Sequence, residues 1–246
     1  NKDWQHPHDP DAKVTKMKDR RTHLAHKVEH VVAPDTEAVV AVNLCDATEG
    51  DTSSLPWSLL RAETNLVAVA ADPIAGRKLY GKPLTEVVAD KGYHSNEVLV
   101  DLARADIRSH ISEPGRGRRK WTNKEEAQAA VYANRRRLHS PRGQCLQKLR
   151  AERAERSFAH VYDTGGMRRL HLRGRGNILK RLLIHVAAYN LSLLMRQMLG
   201  VGTPRGLAAL CRELKALLDT LLRLVSILMP RSLACDASQP AMAYGS

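Results

Sequence analysis

An aspartate that directly follows a buried-type strand is the first candidate for chemistry in this chain. Residues 87–89, Val-Val-Ala, end at Asp90, and a β-branched run of this kind is typical of a buried strand. Gly92 permits a tight turn after the acid, and Ser95 is a suitable N-cap for the helix that follows. In α/β folds, chemistry is concentrated beyond the carboxyl ends of the strands. Asp90 is therefore a candidate ligand, although an aspartate at a strand end also commonly caps the next turn.

The second candidate is Glu155, which helical periodicity places on one stripe with Ala151, Phe158 and Tyr162. We expect this carboxylate to face partly inward because Phe158 shares its stripe. The alternative is a surface ion pair with a nearby arginine: Arg153, Arg156 or Arg168. Two acids on a strand end and a helix could together hold a divalent cation such as Mg²⁺ or Mn²⁺. Two such ions could activate a water and stabilise the leaving oxygen in phosphodiester cleavage.

The elements that must position these acids alternate between strands and helices. Residues 22–32 and 38–44 predict an antiparallel hairpin, and residues 54–70 contain a helix. The strand that ends at Asp90, a helix and a second strand at 107–111 come next. A strand, a helix and a strand in this order favour a parallel pair, so the pattern indicates an α/β fold.

Composition divides the chain into three parts. Residues 1–20 are polar and predict a linker arm, residues 21–200 carry the alternating elements, and residues 201–246 predict a C-terminal helix and tail. Within the central part, residues 113–142 are rich in Gly, Pro and Arg, and we expect a basic insertion that is loop rather than core. Two further helices are expected at about residues 144–162 and 177–199.

The strong positive charge favours a polyanionic partner. The chain has 246 residues, and 39 Lys and Arg against 26 Asp and Glu give a formal charge of +13. Nucleic acid is the partner that such a balance and its clustering favour. The candidate contacts are phosphate-binding arginines and lysine with one stacking tryptophan: Arg116, Arg118, Arg119, Lys120, Trp121, Arg156, Arg168, Arg169 and Arg173.

Other site types receive little support. The four cysteines, Cys45, Cys145, Cys211 and Cys235, have no CxxC spacing, so neither a zinc ribbon nor a disulfide framework is indicated. The chain shows no signal peptide. Its most apolar stretch, residues 182–195, is too short for a bilayer, and we expect no membrane segment.

Four stretches resemble the DDE-type transposases of bacterial insertion sequences. They are DPDAKVTKMKDRRTHLAHKVEH, EVVADKGYHSNEVL, AERSFAHVYDTGGMRRLHLRG and NILKRLLIHVAAYNLSLLMR. The resemblance covers roughly residues 1 to 200. It implies a ribonuclease H-like fold, a mixed sheet flanked by helices, in which three carboxylates hold two Mg²⁺ ions. By position, Asp90 matches the second acid and Glu155 the third.

The chain departs from the family pattern at two places. The first aspartate of the family lies on a first strand, and nothing before Thr22 matches that strand. We therefore expect this strand and its aspartate upstream of Asn1, in an N-terminally truncated chain. One branch of the family has Tyr and Arg seven and four residues before the glutamate and Lys seven after, where this chain has Lys148, Ala151 and Tyr162.

The resemblance implies an insertion-sequence transposase that binds the element ends, cuts phosphodiester bonds and joins the freed 3′-OH to target DNA. Two alternatives stay open: a ribonuclease H-like nuclease without strand transfer, and a non-catalytic DNA-binding remnant. We expect a bacterial cytoplasmic, nucleoid-associated protein. The C-terminal helix has too wide a leucine face for a lone surface helix, so it should pack on the domain or make a homo-oligomer.

Overall fold

The computed structural model describes residues 6–16, 20–78, 84–115, 117 and 119–228. Contacts divide the chain into one unit of Asn1–Leu193 and a second unit of Leu194–Ser246. The first unit mixes strands with helices, which confirms the α/β class.

Three strands form an antiparallel sheet. Strands β1 (Lys13–Lys16), β2 (Thr22–Val32) and β3 (Val39–Asp46) are arranged in that order, with both pairings antiparallel. The predicted hairpin is therefore confirmed. The segment predicted as a linker arm contains β1, because its alternating Lys-Val-Thr-Lys residues pair with the start of β2.

A parallel strand pair flanks Asp90 in the chain and precedes Glu155. Helix α1 (Asp51–Ala70) packs on β3, and β4 (Glu86–Ala89) then pairs in parallel with β5 (Arg108–Ile111) through helix α2 (Asn96–Arg104). Ser95 caps α2 as predicted, since its Oγ accepts a hydrogen bond from Val98 N at 3.0 Å.

The described strands form two separate sheets rather than one mixed sheet. Within the described residues, β4 pairs only with β5, and residues 26–32 of β2 pair only with β3. In the part of the chain that the structure describes, β4 and residues 26–32 of β2 therefore each have one edge without a partner strand.

The basic insertion is a structural element, contrary to its prediction as a loop. Half of it is helix α3 (Glu125–His139), which packs on α2 and β5. Val131 is fully buried in the core, and the buried Asn134 side chain bonds both the N–H and the carbonyl of Ile111, at 3.0 and 2.8 Å. The Arg-rich composition misled the prediction because two of these arginines are half-buried and bonded within the fold, Arg135 to Glu113 and Arg137 to Ser109.

Helices α4 and α5 complete the first unit. Helix α4 (Pro141–Ala159) begins at the Ser140 N-cap and runs into a π-helical turn, His160–Thr164. The N-terminal part of α5 (Arg175–Leu199) buries apolar residues against β3 and the π-helical turn. By length and composition α5 could cross a membrane, but the core helix of a soluble protein passes the same test, and its buried residues include Ile178, Leu182, Val186 and Tyr189.

The second unit contains helix α6 (Pro204–Leu228), which matches the predicted C-terminal helix. The predicted tail lies outside the described residues.

A half-buried histidine fixes α4 on the antiparallel sheet. His30 of β2 stacks on Phe158 of α4, with ring centroids 4.1 Å apart and planes 3° from parallel, and its Nδ1 lies 3.0 Å from Ser157 Oγ. Burial lowers the pKa of His30 to about 4 from an ordinary 6.5. The ring is therefore neutral in the folded chain at neutral pH.

We predict that this histidine makes stability fall in mild acid. Between pH 6.5 and 4 the unfolded chain binds a proton at His30 that the folded chain does not, so stability is full above pH 6.5 and declines toward pH 4. The slope is at most about 1.4 kcal/mol per pH unit. Urea unfolding at several pH values should show a shallower decline for His30→Gln. The exposed His139 is the control, and His139→Gln should keep the wild-type slope; equal slopes for all three proteins would contradict the assignment.

Candidate functional site

Asp90 lies immediately after β4 and is exposed. Its Oδ1 accepts a hydrogen bond from Lys91 N at 2.7 Å and caps the short 3-10 turn Lys91–Tyr93. The capping alternative is thus realised. Asp90 can still act as a ligand while it caps the turn, because within the described residues its Oδ2 accepts no hydrogen bond.

The turn after Asp90 is held by a buried carboxylate that the sequence reasoning missed. Glu29 of β2 is 4% exposed and accepts hydrogen bonds from Ser54, from Ser58 at 2.5 Å and from Tyr93 Oη at 3.0 Å. Lys27 Nζ lies 2.8 Å from Glu29 Oε1. These contacts join β2, α1 and the turn.

The charges in this cluster are stabilised by one another. Burial alone would raise the pKa of Glu29, but hydrogen bonds from Lys27, Ser54 and Ser58 outweigh burial and lower it. Burial and the neighbouring carboxylates of Glu29 and Asp51 raise the pKa of Tyr93, so the phenol stays protonated and donates to Glu29. A single acid within a buried-type strand, Lys-Val-Glu-His-Val, was the signal in the sequence.

The Asp51 carboxylate lies so close to Gly92 that a side chain at residue 92 would have to displace it. A Cβ at residue 92 would lie 2.2 Å from Asp51 Oδ2, while Asp51 Oδ1 pairs with Lys27 Nζ at 2.7 Å. The glycine in the turn therefore leaves room for the carboxylate that neutralises Lys27.

Glu155 is exposed on α4, so the prediction that it faces partly inward is wrong. The surface-pair alternative is also wrong within the described residues, because the three arginines bind other acids. Arg153 and Arg156 contact Glu37, Arg156 also bonds Glu152 at 2.5 Å, and Arg168 pairs with Asp163 at 2.7 Å. The described residues provide Glu155 with no hydrogen bond or ion pair.

Contacts along α4 give its direction relative to the strands. Arg142, near the helix start, bonds Glu86 at the start of β4 at 2.7 Å, and Gln147 bonds the carbonyl of His110, which is level with Val88, at 2.6 Å. Helix α4 therefore runs in the same direction as β4 and β5. Each candidate acid lies beyond the contact on its own element. Asp90 comes directly after β4, and Glu155 lies about 12 Å further along α4 than Gln147.

The side chains of the two acids are of the type that a divalent cation prefers, but two of them are too few to form a complete site. Carboxylate oxygens are the hard ligands that Mg²⁺ and Mn²⁺ prefer, and both side chains are open to solvent. Among the described residues, however, no group of three or more His, Cys, Asp or Glu side chains is arranged to hold a metal ion.

Arg119, one of the predicted DNA contacts, is engaged in interactions within the chain. The Arg119 side chain is 13% exposed, pairs with Glu113 at 2.8 Å, bonds Asn96 at 3.1 Å and lies over the Trp121 ring. Lys120 is exposed, and Trp121 is half-buried against the core. Arg116 and Arg118 lie outside the described residues.

A cleft of about 870 Å³ brings together three of the predicted arginines, whereas Arg156 does not line it and pairs with Glu37 and Glu152. Arg168, Arg169 and Arg173 line it, together with His23 and His171. Arg169 and Arg173 are exposed and pair with no other described residue, whereas Arg168 is held by Asp163 and lies over the Tyr162 ring. The cleft can therefore offer unneutralised guanidinium groups to an anion.

We predict that Gly92→Ala destabilises the chain by about 1 kcal/mol, because the new methyl group must displace Asp51 from Lys27. Thermal or urea unfolding measures this cost. In an Asp51→Ala background the same substitution should be neutral, since the obstructing oxygen is gone. Gly115→Ala, where nothing lies within 4 Å, is the control. An equal cost in both backgrounds would contradict the packing described.

One of three comparisons with known proteins finds a match to part of the chain. Residues 108–195 match the family model described as a transposase DDE domain. The matched segment contains Glu155 and begins after Asp90. Comparisons with curated proteins and with solved structures return no significant match. The family match supports a DDE-type transposase, an enzyme class that acts on DNA and generally uses divalent metal ions.

Proposed function

We propose that this chain is part of a bacterial insertion-sequence transposase that hydrolyses phosphodiester bonds at the element ends and transfers the freed strand to target DNA. The observation that carries the proposal is the state of Glu155. It stays exposed and unpaired among the described residues, because Arg153, Arg156 and Arg168 pair with other acids. A carboxylate whose oxygens are taken by no described side chain is available as a ligand for a divalent cation.

Asp90 and Glu155 would hold the metal ion. Bound Mg²⁺ or Mn²⁺ would supply Lewis acidity toward a phosphodiester and its attacking water. The parallel course of α4 and β4 supports a shared site, because both acids follow the packed part of their elements. The Glu29 cluster would keep Asp90 in position by fixing the turn behind it.

A third carboxylate would come from a strand that joins the two sheets. Open edges on β2 and β4 can each accept a partner strand. Such a strand would complete a ribonuclease H-like mixed sheet, and an aspartate on it would lie beside Asp90. We propose that the strand lies upstream of Asn1, and that residues 1–246 alone are inactive.

DNA would bind in the basic cleft, through phosphate contacts from Arg169 and Arg173. The net charge of +13 supports this partner. Bacterial cytoplasm, in association with the nucleoid, is the location where such a partner is found.

The non-catalytic remnant is the second candidate, favoured because no three His, Cys, Asp or Glu side chains among the described residues are arranged to hold a metal ion. In a remnant, Asp90 and Glu155 substitutions would leave every property intact. A nuclease without strand transfer would leave only cut ends, whereas a transposase yields joined DNA molecules.

We predict that residues 1–246 leave DNA carrying the element ends uncut in Mg²⁺, because two carboxylates do not complete the metal site. A longer protein that supplies the third acid should cut and join this DNA. Asp90→Asn and Glu155→Gln should each abolish its activity, and gel analysis of the products is the measurement.

The matched control is Glu152→Gln, one turn from Glu155 and paired with Arg156, which should retain activity. If residues 1–246 cut DNA in the presence of Mg²⁺ and Asp90→Ala abolished this cleavage, the predicted inactivity of residues 1–246 would be refuted. Full activity of Glu155→Gln in the longer protein would refute the proposed function.

We predict a phosphate contact for each free arginine in the cleft. Replacing Arg169 and Arg173 together by alanine should weaken binding to duplex DNA and reduce the slope of log affinity against log salt by about 2. Fluorescence anisotropy at several salt concentrations measures both. The exposed pair Arg212 and Arg223 on α6 provides a charge-matched control, and an equal loss for the two double variants would exclude a specific role for the cleft.

A further inference from the structure

Helix α6 carries a strict seven-residue leucine repeat. Its leucines recur at spacings of three and four over three heptads, as the first and fourth positions (a and d) of a coiled coil require. The six leucines are Leu207, Leu210, Leu214, Leu217, Leu221 and Leu224.

Four of these six leucines are exposed, and Leu207 and Leu210 are half-buried. Leu214, Leu217 and Leu221 are 57%, 62% and 58% exposed, and Leu224 is 50% exposed. An exposed apolar stripe of this length is unusual for a soluble monomer and marks an interaction surface.

Charged residues lie mainly away from the leucine stripe. Arg212, Lys215, Asp219 and Arg223 occupy the b, c and f positions, which face away from the partner in a coiled coil. At the flanking e and g positions of residues 207–225, Glu213 is the one charged residue. The helix therefore has an apolar side along its length of about 37 Å and a solvent-facing charged side.

We propose that α6 associates with the α6 helices of other copies of this chain, by packing its leucine stripe in a coiled coil. A second copy offers the same repeat at the same spacing, so leucines of one helix fit between those of the other without any change of sequence. A flat surface such as a membrane needs an apolar face but no seven-residue repeat. The inference concerns assembly and does not depend on the catalytic proposal.

Light scattering after size-exclusion chromatography tests the proposal on the full chain. The wild-type protein should have a mass that is a multiple of 27.4 kDa. The double variant Leu217→Lys/Leu221→Lys should reduce the mass to a single chain. The control Ala216→Lys/Leu222→Lys adds the same charge at neighbouring exposed positions outside the repeat, and Leu222 is as exposed as Leu221, at 58%. The control should keep the wild-type mass.

Circular dichroism shows whether the variants keep their helices. A monomeric wild-type chain at tens of micromolar would overturn the proposal whatever the variants do. So would equal masses for the two double variants when both are folded. Sedimentation of a monomeric wild-type chain with anionic lipid vesicles would assign the leucine stripe to a membrane surface instead.

Discussion

The buried charge of Glu29 is the constraint on which the surroundings of Asp90 depend. A carboxylate removed from water costs several kcal/mol unless its oxygens are bonded. Its donors come from three places along the chain: Lys27 on β2, Ser54 and Ser58 on α1, and Tyr93 in the turn after Asp90. A shift of any of these elements would leave a buried charge short of a partner. The cluster therefore fixes α1 and the turn relative to β2.

A second constraint concerns the balance of charge around α4. The helix and the segment after it carry many arginines, and a free carboxylate among them would ordinarily be neutralised. Glu37, Glu152 and Asp163 occupy the nearest guanidinium groups instead. This arrangement leaves Glu155 open while Arg169 and Arg173 line the cleft. Under the proposed function, Glu155 would serve as a metal ligand, and Arg169 and Arg173 would serve as phosphate contacts.

Patterns carried by single elements could be predicted from the sequence. The hairpin, the parallel pair around Asp90 and the Ser95 cap follow from local periodicity and capping chemistry, and all three are confirmed. The burial of α3 could not be predicted, because Val131 and Asn134 contact β5 through tertiary packing while the surrounding arginines dominate the composition. The orientation of Glu155 was also mispredicted: Phe158 shares its stripe but turns toward His30, whereas the glutamate turns to solvent. Glu29 shows the same limit, since its partners are up to 64 residues away along the chain.

The central claim is that Asp90 and Glu155 bind the same metal ion, and anomalous diffraction from Mn²⁺-soaked crystals of the longer protein that supplies the third acid tests it most directly. We expect an anomalous peak within bonding distance of carboxylate oxygens from both residues, and its loss in Glu155→Gln but not in Glu152→Gln. A peak bound by only one of the two acids, or no peak at either acid at millimolar Mn²⁺, would contradict the claim.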